Sequence, residues 1–141
     1  MATYVKFQPF VENLAEKVHD LGADTLKVAL SNTLPTNTFA TFSQITEISA
    51  GNGYTAGGTQ ATISSSAQTS GTYKLVLADV TFTASGGSIA TFRYAILYND
   101  TPTSPANPLI AYWDYGAAVN ITTGNSFTVD FSASNGVFTL A

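Results

Sequence analysis

His19 is the only histidine in this chain of 141 residues, and there is no cysteine, so any imidazole-dependent mechanism must run through that one side chain. A general base needs an orienting partner and a dry pocket, and neither is visible around His19 in the sequence. Hydrolysis by a carboxylate pair would require two of Asp79, Asp100, Asp114 and Asp130 to converge. Asp79 and Asp100 lie between extended segments and read as turn residues, while Asp114 and Asp130 lie within strands, on faces expected to point outward. One histidine and no thiolate leave only hard oxygen sites for metals, and the calcium-loop spacing of acidic residues is missing. Residues 51–56 (GNGYTA) match a dinucleotide-binding pattern by letter, but a Gly/Thr/Ser-rich run follows where the fingerprint needs a helix; they read as a glycine-rich loop. No active site and no cofactor are expected, so the chain reads as a non-enzyme.

Charge narrows the partners. The five cations, Lys6, Lys17, Lys27, Lys74 and Arg93, are scattered, and the net charge is −4. That lacks the basic footprint of a nucleic-acid binder. Charged residues make up 10% of the chain, well below the usual quarter or so, and serine and threonine supply most of the polar surface. No basic region followed by an apolar run opens the sequence, and no apolar stretch reaches the length of a membrane span. The expectation is a soluble protein made in a cytoplasm, with no contact to nucleic acid or membrane.

The elements that would position these side chains are mainly strands. One helix is expected over residues 9–21, with Pro9 at its first position and Gly22 as the left-handed residue after its end. Its apolar arc is Phe10, Val11, Leu14, Val18 and Leu21; Glu12, Glu16, His19 and Asp20 take the solvent side. Alternation and turn signals then place strands over residues 25–31, 73–77, 80–84, 91–98, 109–115, 117–122, 126–132 and 137–140. Gly86-Gly87 reads as a hairpin turn. Residues 32–41 and 99–108 read as surface loops, the latter stiffened by Pro102, Pro105 and Pro108, and residues 49–71 as a long loop part of which pairs as an edge strand. Phe92, Tyr94, Ile96 and Tyr98 are expected on one inward face, with Phe127, Val129 and Phe131 inward on a neighbouring strand. The reading is a single all-β domain over residues 1–141, an antiparallel jelly roll or β-sandwich with one short N-terminal helix.

Four runs in this chain, residues 21–33 (LGADTLKVALSNT), 45–58 (ITEISAGNGYTAGG), 93–100 (RYAILYND) and 113–116 (WDYG), resemble a family of small virion proteins of tailed phages, the capsid cement or decoration proteins of podophages. The resemblance implies a jelly-roll-like domain on the outer surface of an assembled head. It also implies contact with the major capsid protein and with other copies, as a dimer more readily than a trimer. A tail or head-fibre module that binds a host-surface carbohydrate is the alternative. From the residues themselves, attachment is expected through apolar or stiff anchors: Tyr4, Val5 and Phe7 near the N-terminus, Pro102 and Pro105 in the proline loop, and the exposed member of Tyr112 and Trp113. The acidic face of Glu12, Glu16 and Asp20 is the competing surface.

Overall fold

Runs of β-branched and aromatic residues separated by Gly, Asn and Pro fold as short strands, because such side chains suit a pleated, half-buried surface. The computed structural model describes residues 2–141. Its elements are β1 (Thr3–Lys6), α1 (Pro9–Ala15), β2 (Leu26–Ser31), a 3-10 turn (Phe42–Gln44), β3 (Thr59–Ala61), β4 (Ile63–Thr69), β5 (Thr72–Leu77), β6 (Val80–Thr83), β7 (Ile89–Asn99), β8 (Leu109–Ile121), β9 (Ser126–Val129) and β10 (Phe138–Leu140). They form a five-stranded sheet in the order β1-β8-β7-β2-β3, a three-stranded sheet β10-β5-β4 and a pair β6-β9. All these pairings are antiparallel. The fold is an all-β sandwich with one short helix, as the sequence indicates.

The large sheet is apolar on both faces at its centre. On β2, Leu26, Val28 and Leu30 join the main core, with Leu75, Leu77, Val80, Phe82, Phe92 and Leu97 among its other members. Ala29 faces the other way and joins Phe7, Tyr94, Ile96, Tyr98, Leu109 and Tyr112. Val5, Phe39, Phe42 and Ile45 close over this second cluster, and Phe42 stacks on Tyr98 with ring centroids 4.2 Å apart. Each such side chain, fully buried, contributes roughly 1.5–3 kcal/mol. Residues 32–41 are therefore more than a polar surface loop: with the turn that follows they cover the outer face of the large sheet.

Several expectations are corrected. The helix stops at Ala15 instead of continuing to residue 21. Lys17, not Gly22, takes the left-handed conformation (φ 67°), and Val18 N–H returns to Asn13 O (2.9 Å), the closing bond of a Schellman end. Gly86-Gly87 joins strands of different sheets, since β6 pairs with β9 and β7 with β8 and β2. The surface loop expected at residues 99–108 is the tip of the β7–β8 hairpin, with Asn99 still in β7 and its N–H donating to Pro108 O (3.0 Å). The segments at 109–115 and 117–122 are one long strand. Strict alternation also fails in β7. A register shift between Phe92 and Tyr94 sends Phe92 into the main core and Tyr94, Ile96 and Tyr98 into the second.

The glycine-rich loop has a structural task. Tyr54 OH donates to Glu47 Oε1 (2.6 Å) and accepts from Leu30 N–H (3.0 Å). Gly57 N–H also donates to Glu47 Oε1 (2.6 Å), and Tyr98 OH donates to Gly57 O (2.6 Å). Burial and the neighbouring Glu47 carboxylate raise the Tyr54 phenol above its ordinary range, and burial pushes Tyr98 up to about 12. At Gly58, a Cβ would overlap the Val28 carbonyl, so the loop presses on β2 where only glycine fits.

Candidate interaction surface

Of the candidate catalytic groups, His19, Asp79, Asp100 and Asp114 are tied into the frame; Asp130, expected within a strand, lies just past the end of β9 and is exposed. Because the helix ends early, His19 lies outside it and turns inward, 6% exposed, which corrects the expectation of a solvated side chain. Asn99 Nδ2 donates to His19 Nδ1 (3.1 Å) and to Asp24 Oδ2 (2.6 Å), and burial lowers the imidazole pKa to about 4 against the pull of Asp24. Its Nδ1 therefore acts as an acceptor and the ring is neutral at pH 7. Asp100 pairs with Lys27 (2.9 Å), Asp79 Oδ1 accepts Phe131 N–H (2.8 Å), and Asp114 is held by Arg93. Among the described residues no group of three or more His, Asp or Glu converges on a metal position, and no helix is long and apolar enough to cross a membrane.

The contact candidates divide by exposure. Phe7 (0% exposed) and Tyr112 (6%) belong to the second core, so neither can offer its side chain to a partner; the reason is that the cover over the outer sheet face encloses them. Val5 is half-buried on the same cluster. Pro102 and Pro105 are half-buried in the hairpin tip. Tyr4 is 37% exposed and meets the half-exposed Trp113 edge-on, with centroids 5.5 Å apart. Trp113 is thus the more exposed member of its pair, though half-buried against the main core.

Beside Trp113 lies a feature no candidate residue captured. The pairs Tyr94↔Asp114 and Phe92↔Val119 flank a wide bulge, in which residues 115–118 of β8 stand opposite Arg93 alone. Gly116 supplies the required left-handed turn (φ 92°). Arg93 Nε and Nη2 donate to the two Asp114 oxygens (2.8 and 3.1 Å), and Gly116 N–H donates to Asp114 Oδ1 (2.8 Å). The guanidinium hydrogen bond first, then that backbone N–H, hold the Asp114 carboxyl below the usual range. The result is a pinned, protruding ridge, Tyr-Gly-Ala-Ala, with Tyr115 49% exposed and edge-on to Phe127 (5.4 Å). A cleft of about 190 Å³ opens beneath it, walled by Phe92, Trp113, Tyr115 and Phe127 with Arg93 and Asp130 among its polar members. A glycine interrupting an otherwise strand-like run is the sequence signal for such a bulge. No charged residue occurs between Asp114 and Asp130, so the ridge offers aromatic rings, methyl groups and backbone, the materials of a protein contact. No protein-family model, no curated protein and no solved structure matches the chain.

Proposed function

We propose that this chain is a structural virion protein that binds the outer surface of an assembled tailed-phage head and cements neighbouring capsomers through the major capsid protein. The observation that carries the reading is the ridge at residues 115–118, with Trp113 and Tyr4 beside it. It is an uncharged, partly aromatic projection on the large five-stranded sheet, pinned by Arg93 and Asp114. The resemblance of the four sequence runs to cement proteins supplies the partner. The engagement of His19, Asp79, Asp100 and Asp114 in structural bonds favours a binding role over catalysis. Repetition over a lattice makes modest individual contacts strong together.

The test is addition of purified protein to assembled heads that lack it, with bound copies counted against the major capsid protein. Copies within a small factor of the capsid protein support the reading; no binding, or a handful per particle, overturns it. Washing from about 0.1 to 1 M NaCl shortens the screening length from roughly 10 to 3 Å, and the protein should stay bound. Trp113→Ala and Tyr115→Ala should release it. Truncation of residues 1–7 is a poor probe, because it removes β1 and the buried Phe7 together.

The carbohydrate alternative has one observation in its favour, the aromatic-walled cleft with Arg93 and Asp130 among its lining residues. Binding of glycans by particle-free protein, lost in Trp113→Ala, would move the conclusion to that reading.

A further inference from the structure

Sheet edges are points of attachment unless something guards them, because each presents a row of unpaired backbone N–H and C=O groups. Most edges here are guarded. β1 has four residues and ends on Lys6, β3 and β10 have three residues each, and β6 and β9 have four each and adjoin Asp79 and Asp130. The outer side of β8 is broken by the bulge at residues 115–118. β4 is the exception. It has seven residues, Ile63–Thr69, and pairs on one side only, with β5. A bulge between Ile63 and Ser65 disturbs its start, but residues 65–69 run in regular register from Ser65↔Val76 to Thr69↔Thr72. They are exposed except for the half-buried Ser66, whose hydroxyl bonds to Tyr73 OH (2.8 Å). The strand contains no proline and no charge, and no charged residue occurs anywhere between Glu47 and Lys74.

We propose that β4 is a pairing edge for a second copy of this chain, joined antiparallel across a two-fold axis at Ala67. Charge and pattern select a copy of itself as the occupant. The chain is acidic overall, so two copies repel over most approaches, yet β4 itself brings no charged residue to the contact. A two-fold at Ala67 sets Ser65 opposite the copy's Thr69 and Ser66 opposite the copy's Gln68. These short polar partners can hydrogen-bond across strands, with the small alanine on the axis. The nearest cations are the two Lys74 side chains, one strand behind on each side. They lie three strand spacings apart, roughly 14 Å, outside a screening length of about 8–10 Å. Lys74 Nζ is moreover engaged by Ser134 O (2.9 Å). The sheet β10-β5-β4 then continues without interruption into the copy's β4-β5-β10. This inference does not rest on the head-binding reading, because it concerns the protein free in solution.

Sedimentation velocity across a concentration series, with hydrogen exchange measured at low and high concentration, tests it. Monomer should convert to dimer, and alternate amides within residues 65–69 should gain protection as it does. Ala67→Glu places a carboxylate opposite Lys74 of its own chain, a pair that favours the fold, while setting two carboxylates face to face across the axis. Its dimer should weaken by about tenfold or more. Mixing it with Ala67→Lys should restore pairing as a heterodimer. A wild-type protein that stays monomeric overturns the proposal. So does a dimer in which residues 65–69 gain no protection, or one that Ala67→Glu leaves intact. The exchange measurement needs no variant, so it decides the matter even where a substitution disturbs folding.

Discussion

The two halves of the β7–β8 ladder are built from similar residues and end in opposite situations. From Tyr94↔Asp114 to Tyr98↔Leu109 the ladder is covered on both faces, with Ala95 and Leu97 in the main core and Ile96 and Tyr98 under the cover. From Ile89↔Ile121 to Phe92↔Val119 it is covered on one face, while Thr91 and Asn120 meet solvent and residues 115–118 are pushed outward. Both halves are rich in apolar side chains. The difference lies in what packs above them and in one glycine. Covering both faces turns such residues into structure, and bulging a strand at Gly116 turns them into a surface.

The largest expected effects lie at the closed half. Ile96→Ala and Leu97→Ala should each cost about 2–5 kcal/mol in urea unfolding, whereas Tyr115→Ala and Thr91→Ala should stay within about 0.5 kcal/mol. Equal costs in the two halves would break the comparison.

An effect of similar size is expected at the closed end through pH. A histidine held near 4 in the fold and near 6.5 when unfolded stabilises the folded protein fully above pH 6.5. That contribution declines as pH falls through 6.5 and is gone by about pH 4, a loss of about 3 kcal/mol. His19→Leu should flatten the stability profile across that window; a profile unchanged by the substitution would mean His19 is not held neutral in the fold.

Smaller effects sharpen the picture of the open half. Gly116→Ala forces a side chain into the left-handed region and should cost roughly 1–3 kcal/mol, with chemical-shift changes confined to residues 113–119. Asp114→Asn removes half of a partly exposed ion pair (side chains 39% and 26% exposed) and should cost less than about 1 kcal/mol. A larger loss would mean that the pair supports the core as well as the ridge.

Much of the sandwich is legible in the sequence because alternation is local: β2, β5, β6 and most of β7, β8 and β10 follow from it. What escapes is set by distant contacts. β1 is short and carries no pattern of its own; it is a strand because β8 pairs with it. β4, nearly all hydroxyls and small residues, is by contrast legible only as an edge strand somewhere within residues 49–71, and its hairpin neighbour β5 sets its bounds. The apolar arc at residues 10–21 resembles a long helix, yet Leu21 reaches the core after a turn at Lys17, and His19 is drawn in by Asn99, eighty positions away. On the candidate surface, Tyr4 and Trp113 keep part of the exposure the sequence suggests. Phe7 and Tyr112 look the same in the sequence, and only the cover over the outer face distinguishes them.

The strand order β1-β8-β7-β2-β3 also sets a timetable. During synthesis from the N-terminus, β1 has no neighbour until β8 exists, and β2 meets only the three residues of β3 until β7 arrives. The large sheet thus forms late, after most of the chain has emerged, and it depends on contacts of high sequence separation, which fold slowly. Until then the apolar run of β2 stays accessible to chaperones and to other nascent chains. Folding speed should therefore depend more on how readily residues 100–108 close the β7–β8 hairpin than on anything in the first third of the sequence.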